Sequence, residues 1–349
     1  MVVLGADLHK RSHTVVVIDE TGRKLAEQRV AATAEGHLEL RRWAAQWPDR
    51  RWGLEDCRHL SRRLEADLLR AGEAVVRVPP KLMAGARRSL REPGKSDPID
   101  ALAVAQAVLR EPGLPVASLD GPDRDVRLLV DHREDLIGER TRDEQRLRWH
   151  LVELAIPEPA PRSLGRLVVQ TRLETALAGR SEPVARFARE LLARIRELSV
   201  AIKALEREIE ALVRSLALTL LALPGCGPLT AAKIVGETAG IARFRSKEAF
   251  ARHNGSAPVP VWSGDTVRHR LSRGGNRQLN AALHRIAITQ MRIDDRGRAY
   301  LEHRRSAGDT KTEAIRALRR RISDEVFRRL RMDELNQAAA AGPLPAAAA

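Results

Sequence analysis

Val2-Val3-Leu4-Gly5-Ala6-Asp7 is a short apolar run that ends in an acid, and it decides how the first hundred residues are read. Its composition is that of a strand, with Asp7 where the strand ends. Arg51-Trp52-Gly53-Leu54-Glu55 repeats the pattern, with Glu55 in the same place. Lys95-Ser96-Asp97-Pro98-Ile99-Asp100-Ala101 opens a helix rich in Ala, Leu and Val. Asp97 and Asp100 are three apart and so share a helix face. Four converging carboxylates repel one another unless a cation lies between them, and hard oxygen donors suit Mg²⁺ or Mn²⁺. The competing reading makes these acids salt-bridge partners and caps, with Asp97 closing a helix start ahead of Pro98. That reading leaves unexplained why Asp7 and Glu55 both end apolar strands.

The chain has 349 residues, enough for two or three domains. Lys and Arg number 61 against 46 Asp and Glu, a net charge of +15. An acidic pocket within so basic a protein points to a metal held against a polyanion, and to a nucleic-acid partner. Cys57 and Cys226 stand apart, which argues against a zinc site and a disulfide framework. No apolar run approaches the ~18 residues of a membrane span, and the strand at the N-terminus does not resemble a signal peptide. The expected location is cytoplasmic, associated with the nucleoid. Aromatic residues make up 3%, too few for base-stacking platforms.

Residues 1–115 alternate strand and helix signals. His13–Asp19 and Lys24–Ala31 follow the first strand as an antiparallel meander. Helices are predicted over Glu35–Trp47, Leu60–Ala71 and Asp97–Arg110, with strands at Arg51–Glu55 and Glu73–Val78. This order predicts an α/β domain with a mixed sheet and helices on its faces. Residues 82–96 read as a mobile basic segment or a solvated loop. Residues 116–216 read as a long antiparallel coiled-coil arm. Its second helix carries Val184, Phe187, Leu191, Ile195, Leu198, Ile202, Leu205, Ile209, Leu212 and Leu216 at steps of three or four. A less regular seam through Val126, Leu129, Ile137, Leu147, Leu151 and Leu154 marks the first, and prolines 157, 159 and 161 break the helix between them. Residues 217–333 are expected to form a mostly helical domain, and 334–349 a disordered Ala/Pro-rich tail.

Two motifs stand out in the third segment. Leu223-Pro224-Gly225-Cys226-Gly227-Pro228 has the form of a helix-hairpin-helix, whose turn around Gly225 and Gly227 can offer backbone N–H groups to a phosphate. The alternative is an ordinary glycine turn. Further on, a loop ends in Ser263-Gly264 and leads into Arg268, Arg270, Arg273, Asn276 and Arg277, a stretch suited to phosphate contacts. By residue type alone Ser263 is a turn residue. The later arginines, from Arg304 to Arg329, form a basic helical surface that is either solvated or follows a nucleic-acid backbone.

Taken in order, GADLHK around Asp7, LEDC around Glu55, KSDPIDA around Asp97 and Asp100, LPGCGPLTA, and APVPVWSGD with RHRLSRGGNRQL resemble the DEDD transposases of the insertion-sequence-110 type. The resemblance covers about residues 1–330. It implies a RuvC-like, ribonuclease-H-type N-terminal domain, a coiled-coil insertion and a C-terminal transposase domain. It implies that Asp7, Glu55, Asp97 and Asp100 are metal ligands and that Ser263 is the nucleophile, giving a DNA recombinase that forms a covalent phosphoserine. It further implies a bridge-type noncoding RNA, donor and target duplex DNA, and a homo-oligomer, dimer or tetramer. Gly274 and Asn280 depart from the family's usual basic residues, which bears on nucleic-acid contacts rather than chemistry. The alternatives are a RuvC-like nuclease that uses water and a non-catalytic nucleic-acid scaffold.

Overall fold

A computed structural model describes residues 1–56, 60–80, 82–83, 85, 96–111, 113–114, 116–160, 163–263, 266–270 and 275–341. The chain divides into two compact units, Met1–Asp120 and Gly121–Ala349. Most of the basic segment expected over 82–96 lies outside the described residues, as do Arg273 and Gly274.

The first unit is built on five strands: β1 (Val2–Leu8), β2 (Ser12–Ile18), β3 (Lys24–Ala31), β4 (Arg50–Glu55) and β5 (Val75–Val78). Their order is β3-β2-β1-β4-β5. The first three form the antiparallel meander, while β4 lies parallel to β1, and β5 to β4. This is the mixed α/β architecture that the alternation of strand and helix signals predicts. Strand residues alternate between faces, and each face has its own core. Leu4, Ala6, Leu8, Val15, Val17, Trp52 and Leu54 pack with Leu40, Leu64 and Leu68 of α1 (Ala34–Ala44) and α2 (Arg62–Arg70). Arg77 locks α2 to β5 with two bonds to Glu65, at 2.7 and 2.6 Å.

The other face is covered by α3 (Asp97–Arg110). Gly5 and Gly53 are register partners on β1 and β4, beneath this helix. A Cβ added at Gly5 would overlap the carbonyl oxygen of Ala101 and the amide nitrogen of Ala105. One added at Gly53 would overlap the Val108 side chain. Glycine here is required by close approach, with the backbone of β1 and the helix in direct contact.

In the second unit, α4 (Pro122–Glu153) and α6 (Pro183–Leu216) run antiparallel. Arg133 pairs with Glu206, and Arg194 with Glu139 at 2.6 Å, so one helix rises as the other descends. Leu147 and Leu151 pack with α5 (Leu167–Leu177) at one end of the pair. Val126, Val130, Ile209 and Val213 join the core of the remaining helices at the other. The buried stripe begins one residue off the predicted one. Ala185, Ala188 and Leu192 face inward, Val184 and Leu191 pack only at the margin, and Phe187 is 42% exposed. Alanines in the buried stripe carry little weight in a periodicity read from hydrophobicity.

The unit continues with α7 (Leu218–Leu221), α8 (Pro228–Thr238), α9 (Lys247–His253), the hairpin β6 (Val259–Ser263) with β7 (Thr266–Arg270), α10 (Arg277–Ile293), α11 (Asp295–Ser306) and α12 (Lys311–Ala341). The last helix runs through 334 to Ala341, where a disordered tail was expected; the rest of that tail, 342–349, lies outside the described residues. Among the described residues no helix is long and apolar enough to cross a membrane.

Gly5→Ala is expected to lower stability by about 2 kcal/mol or more, because backbone cannot yield as a side chain would. At Gly113 an added Cβ meets nothing within 4 Å, so Gly113→Ala should stay within about 0.5 kcal/mol of the native chain. Urea unfolding of the two variants checks the difference, and equal midpoints would contradict the close-contact account.

Candidate active site

Asp7 lies two residues beyond Gly5 and Glu55 two beyond Gly53, so both acids share the face that α3 covers. Leu54 pairs with Ala6 in parallel register, which sets Glu55 beside Asp7 at the same edge of the sheet. Asp97 is one turn ahead of Ala101, the residue seated on Gly5. The close contact that excludes a side chain at Gly5 therefore also carries the helix start, with Asp97 and Asp100, to the ends of β1 and β4.

Asp7 is 6% exposed, and Asp100 is also buried. Burial first, then the nearby Asp100 and Asp97 carboxylates, raise the Asp7 pKa above the ordinary range, against the lowering effect of His9. His9 was not anticipated from the sequence. Its Nε2 lies 3.1 Å from Asp7 Oδ2 and 3.3 Å from Asp97 Oδ1, while the ring is 52% exposed. Donor atoms of Asp7, His9 and Asp97 all fall within 4.8 Å of one another, close enough to hold one metal ion. Arg29 on β3 reaches Asp97 at 3.8 Å. Thr14, the register partner of Asp7 on β2, is buried, and its hydroxyl has no partner among the described residues.

In the second unit, Ser263 pairs with Thr266 as the last rung of the β6–β7 hairpin. Both ends of this segment are fixed. Asn254 is fully buried, and its Nδ2 donates to Ser323 Oγ at 2.7 Å. A Cβ at Gly275 would overlap the backbone of Gly255. Asn276 caps α10 by accepting from the amides of Gln278 and Leu279, each at 3.0 Å, and donates to Glu237 Oε2 at 2.6 Å. Its side chain is thus committed to the fold on both sides. Glu237 in turn accepts from Arg127 of α4 at 3.3 Å.

The other residues singled out for phosphate contact separate by environment. Gly225 has a left-handed φ of 83°, and a Cβ there would lie 3.1 Å from the Ile286 carbonyl oxygen, so it serves the packing of its turn on α10. Gly227 is the N-cap of α8, with open space around its Cα. Arg270 and Arg277 are exposed. The Arg268 side chain and Arg273 lie outside the described residues. Cys226 is buried, and burial pushes its thiol up to about 12, which leaves it unreactive.

Two family models match the chain: a transposase model of the IS110 DEDD type over residues 4–156, and that of the "Transposase IS116/IS110/IS902 family" over 217–302. The 44.8 kDa protein of insertion element IS116 from Streptomyces clavuligerus is 30% identical over 94% of both chains. The chain belongs to the IS116/IS110/IS902 transposase family. The 42 kDa protein of insertion element IS900 from Mycobacterium paratuberculosis is 28% identical, over 94% of this chain and 95% of its own. RuvC of Thermus thermophilus is similar at 17% identity and a TM-score of 0.28, over 34% of this chain and all of that one. RuvC in complex with Holliday junction substrate gives 18% and 0.25, over 31% and 91%.

The first matched segment of this transposase holds Asp7, Glu55, Asp97 and Asp100; the second holds Gly225, Ser263, Asn276 and Arg277. The acids fit a divalent cation on chemical grounds. They supply hard oxygen donors, and their mutual repulsion is relieved by positive charge. The buried, unpartnered Thr14 hydroxyl beside Asp7 leaves room for a hydrogen bond from the hydration shell of such an ion.

The raised Asp7 pKa has a definite sign for stability. The folded chain keeps a proton that the unfolded chain releases, so stability falls as pH climbs from the ordinary carboxylate range through the raised value. Asp7→Asn is therefore expected to make the metal-free protein more stable than the native chain above that window, with the gap closing below about pH 4. Mn²⁺ should raise the melting temperature of the native chain and leave that of Asp7→Asn in place. Equal Mn²⁺ shifts in thermal melting would contradict the metal assignment.

Proposed function

We propose that this transposase cuts and rejoins DNA at element ends and target sites, with Asp7, Glu55, Asp97 and Asp100 as ligands of Mg²⁺ or Mn²⁺ and Ser263 as nucleophile. The observation that carries this reading is the gathering of Asp7, Asp97 and Asp100 by the close contact of α3 on β1. A bound divalent cation supplies Lewis-acid polarisation of a phosphate oxygen. The acids hold that charge in a buried setting, where electrostatic effects are stronger than in water.

Ser263 then attacks phosphorus. A bond forms from Oγ to phosphorus as a phosphorus–oxygen bond to the sugar breaks, and the departing oxygen takes a proton and leaves as a hydroxyl. The phosphodiester energy is kept in the serine ester, so a sugar hydroxyl of another strand can reverse the step and reseal the DNA. A serine hydroxyl needs a base or a metal to activate it before it can act in this way. The same hydroxyl must reach the phosphate from its own chain or from a second copy, which accords with a dimer or tetramer. The net charge of +15 suits the long duplex and a structured bridge-type RNA as partners.

Two substitutions divide the roles. Ser263→Ala should abolish the protein–DNA adduct on a denaturing gel while DNA binding stays within about threefold of native, since a single hydroxyl carries little binding energy. Asp7→Asn should abolish metal-dependent strand breakage. Strand breakage that persists in Ser263→Ala, with free ends and no adduct, would establish water as the nucleophile instead.

A further inference from the structure

The arginines of α12 fall into two classes. Arg320 pairs with Asp324. Arg328 and Arg329 share Glu325 at 2.6 Å each. Arg331 reaches Glu334 at 3.8 Å, and Arg321 stacks on Tyr300 at 4.4 Å. Arg316 and Arg319, on the same helix, meet no carboxylate among the described residues.

For Arg316, which is half-buried, that is unremarked by any physical rule. Arg319 is different, because it is 8% exposed. Its Nη1 donates to Asn280 Oδ1 at 3.0 Å, a neutral acceptor. Its Nε is buried and meets no acceptor among the described residues. A buried charge is ordinarily paired, because its desolvation must be offset by an opposite charge or by a full set of hydrogen bonds. Around Arg319 the neighbours are instead of the same sign. Desolvation and then the Arg316 charge lower its pKa, although a guanidinium stays protonated in any protein. His284, on α10, has its own pKa lowered by burial and then by Arg319. Arg277, Asn280 and His284 sit at intervals of three and four along α10 and share one of its faces. Asn280 is itself anchored, its Nδ2 donating to the Asn254 carbonyl at 2.8 Å, so it holds Arg319 from a fixed position.

We propose that Arg319, Arg316 and His284 form a receptor for one backbone phosphate of a bound nucleic-acid strand, extended along α10 by Arg277. The guanidinium fork matches phosphate geometry in two bonds, and the anion supplies the missing countercharge. This rests on the reading of the protein as one that acts on nucleic acid. It adds a site outside the serine hairpin, centred on α12 and meeting the basic block that follows the hairpin at Arg277 alone. It also separates this pair from the remaining arginines of α12, whose charges are already spent on acids of their own helix or on Tyr300.

The test uses the full-length protein with fluorescently labelled duplex DNA and, in a parallel arm, a labelled structured RNA. Binding is followed by anisotropy across a salt series. Loss of one phosphate contact flattens the log–log salt dependence by about 0.9 for duplex DNA and about 0.7 for a single strand. Arg319→Gln and Arg316→Gln should each flatten it by about that amount and weaken binding, with circular dichroism and melting confirming the fold. Arg328→Gln, an ion-paired control on the same helix, should leave the slope unchanged. The polymer whose slope flattens identifies the source of the phosphate. If Arg319→Gln does not fold, Arg316→Gln decides, because its half-buried side chain meets no carboxylate among the described residues. A native slope for Arg316→Gln on both polymers would overturn the receptor while leaving the recombinase reading intact. A native protein that binds neither polymer would overturn both.

Discussion

The first unit depends on a contact between main chains. At Gly5 no side chain intervenes between β1 and α3, and a Cβ there would overlap Ala101 and Ala105. Gly53, its register partner on β4, gives the helix the same clearance over the next strand. Helix and sheet at this separation form a rigid wedge, since overlap with backbone cannot be relieved by a rotamer change. Asp7 and Glu55 lie two residues past the glycines, and Asp97 and Asp100 occupy the first turn of the helix. Three chain segments far apart in sequence thus deliver their acids to one edge of one sheet. Burial, and then the neighbouring Asp100 and Asp97 carboxylates, raise the pKa of Asp7. A cation in the same place would convert it into binding energy.

The second unit solves a related problem by polar connections. Glu237 on α8 accepts from Arg127 of α4 and from Asn276 at the start of α10, so a single buried carboxylate ties three helices together. Asn254 and Gly275 clamp the two ends of the segment that contains the β6–β7 hairpin. The position of Ser263 is therefore set by groups at the base of its hairpin. Buried networks of this kind rigidify when fully satisfied. Lys233 shows the same economy, since it is buried yet held at 2.8 Å by Glu134.

The elements of the first unit were legible because each strand is a short apolar run ended by a turn or an acid, and because α3 opens with Asp97 and Pro98. The pairing of β1 with β4 was not legible. Gly5 and Gly53 carry no sign of a close approach until the register sets them side by side. His9 carried no signal of its own, since its relation to Asp97 arises only when the helix is docked. In the antiparallel helix pair the period was readable and the phase was not: Val184 and Phe187 outrank Ala185 and Ala188 in hydrophobicity, yet the two alanines are the buried ones. The Ala-rich end of α12 was expected to be disordered, although alanine is the strongest helix former, and the helix continues to Ala341. Asn276 was assigned to nucleic acid from its place in a basic block, while the structure uses both ends of its amide within the fold. Arg319 was grouped with a basic helical surface, either solvated or following a nucleic-acid backbone, because sequence alone cannot tell a buried arginine from an exposed one.

Whether the four acids share one cation is read most directly from anomalous diffraction of crystals grown with Mn²⁺. The account predicts an anomalous peak bonded to Asp7 and to at least one carboxylate from α3 or β4. A peak absent from this edge of the sheet at saturating Mn²⁺, or one held only by acids elsewhere on the chain, would contradict it.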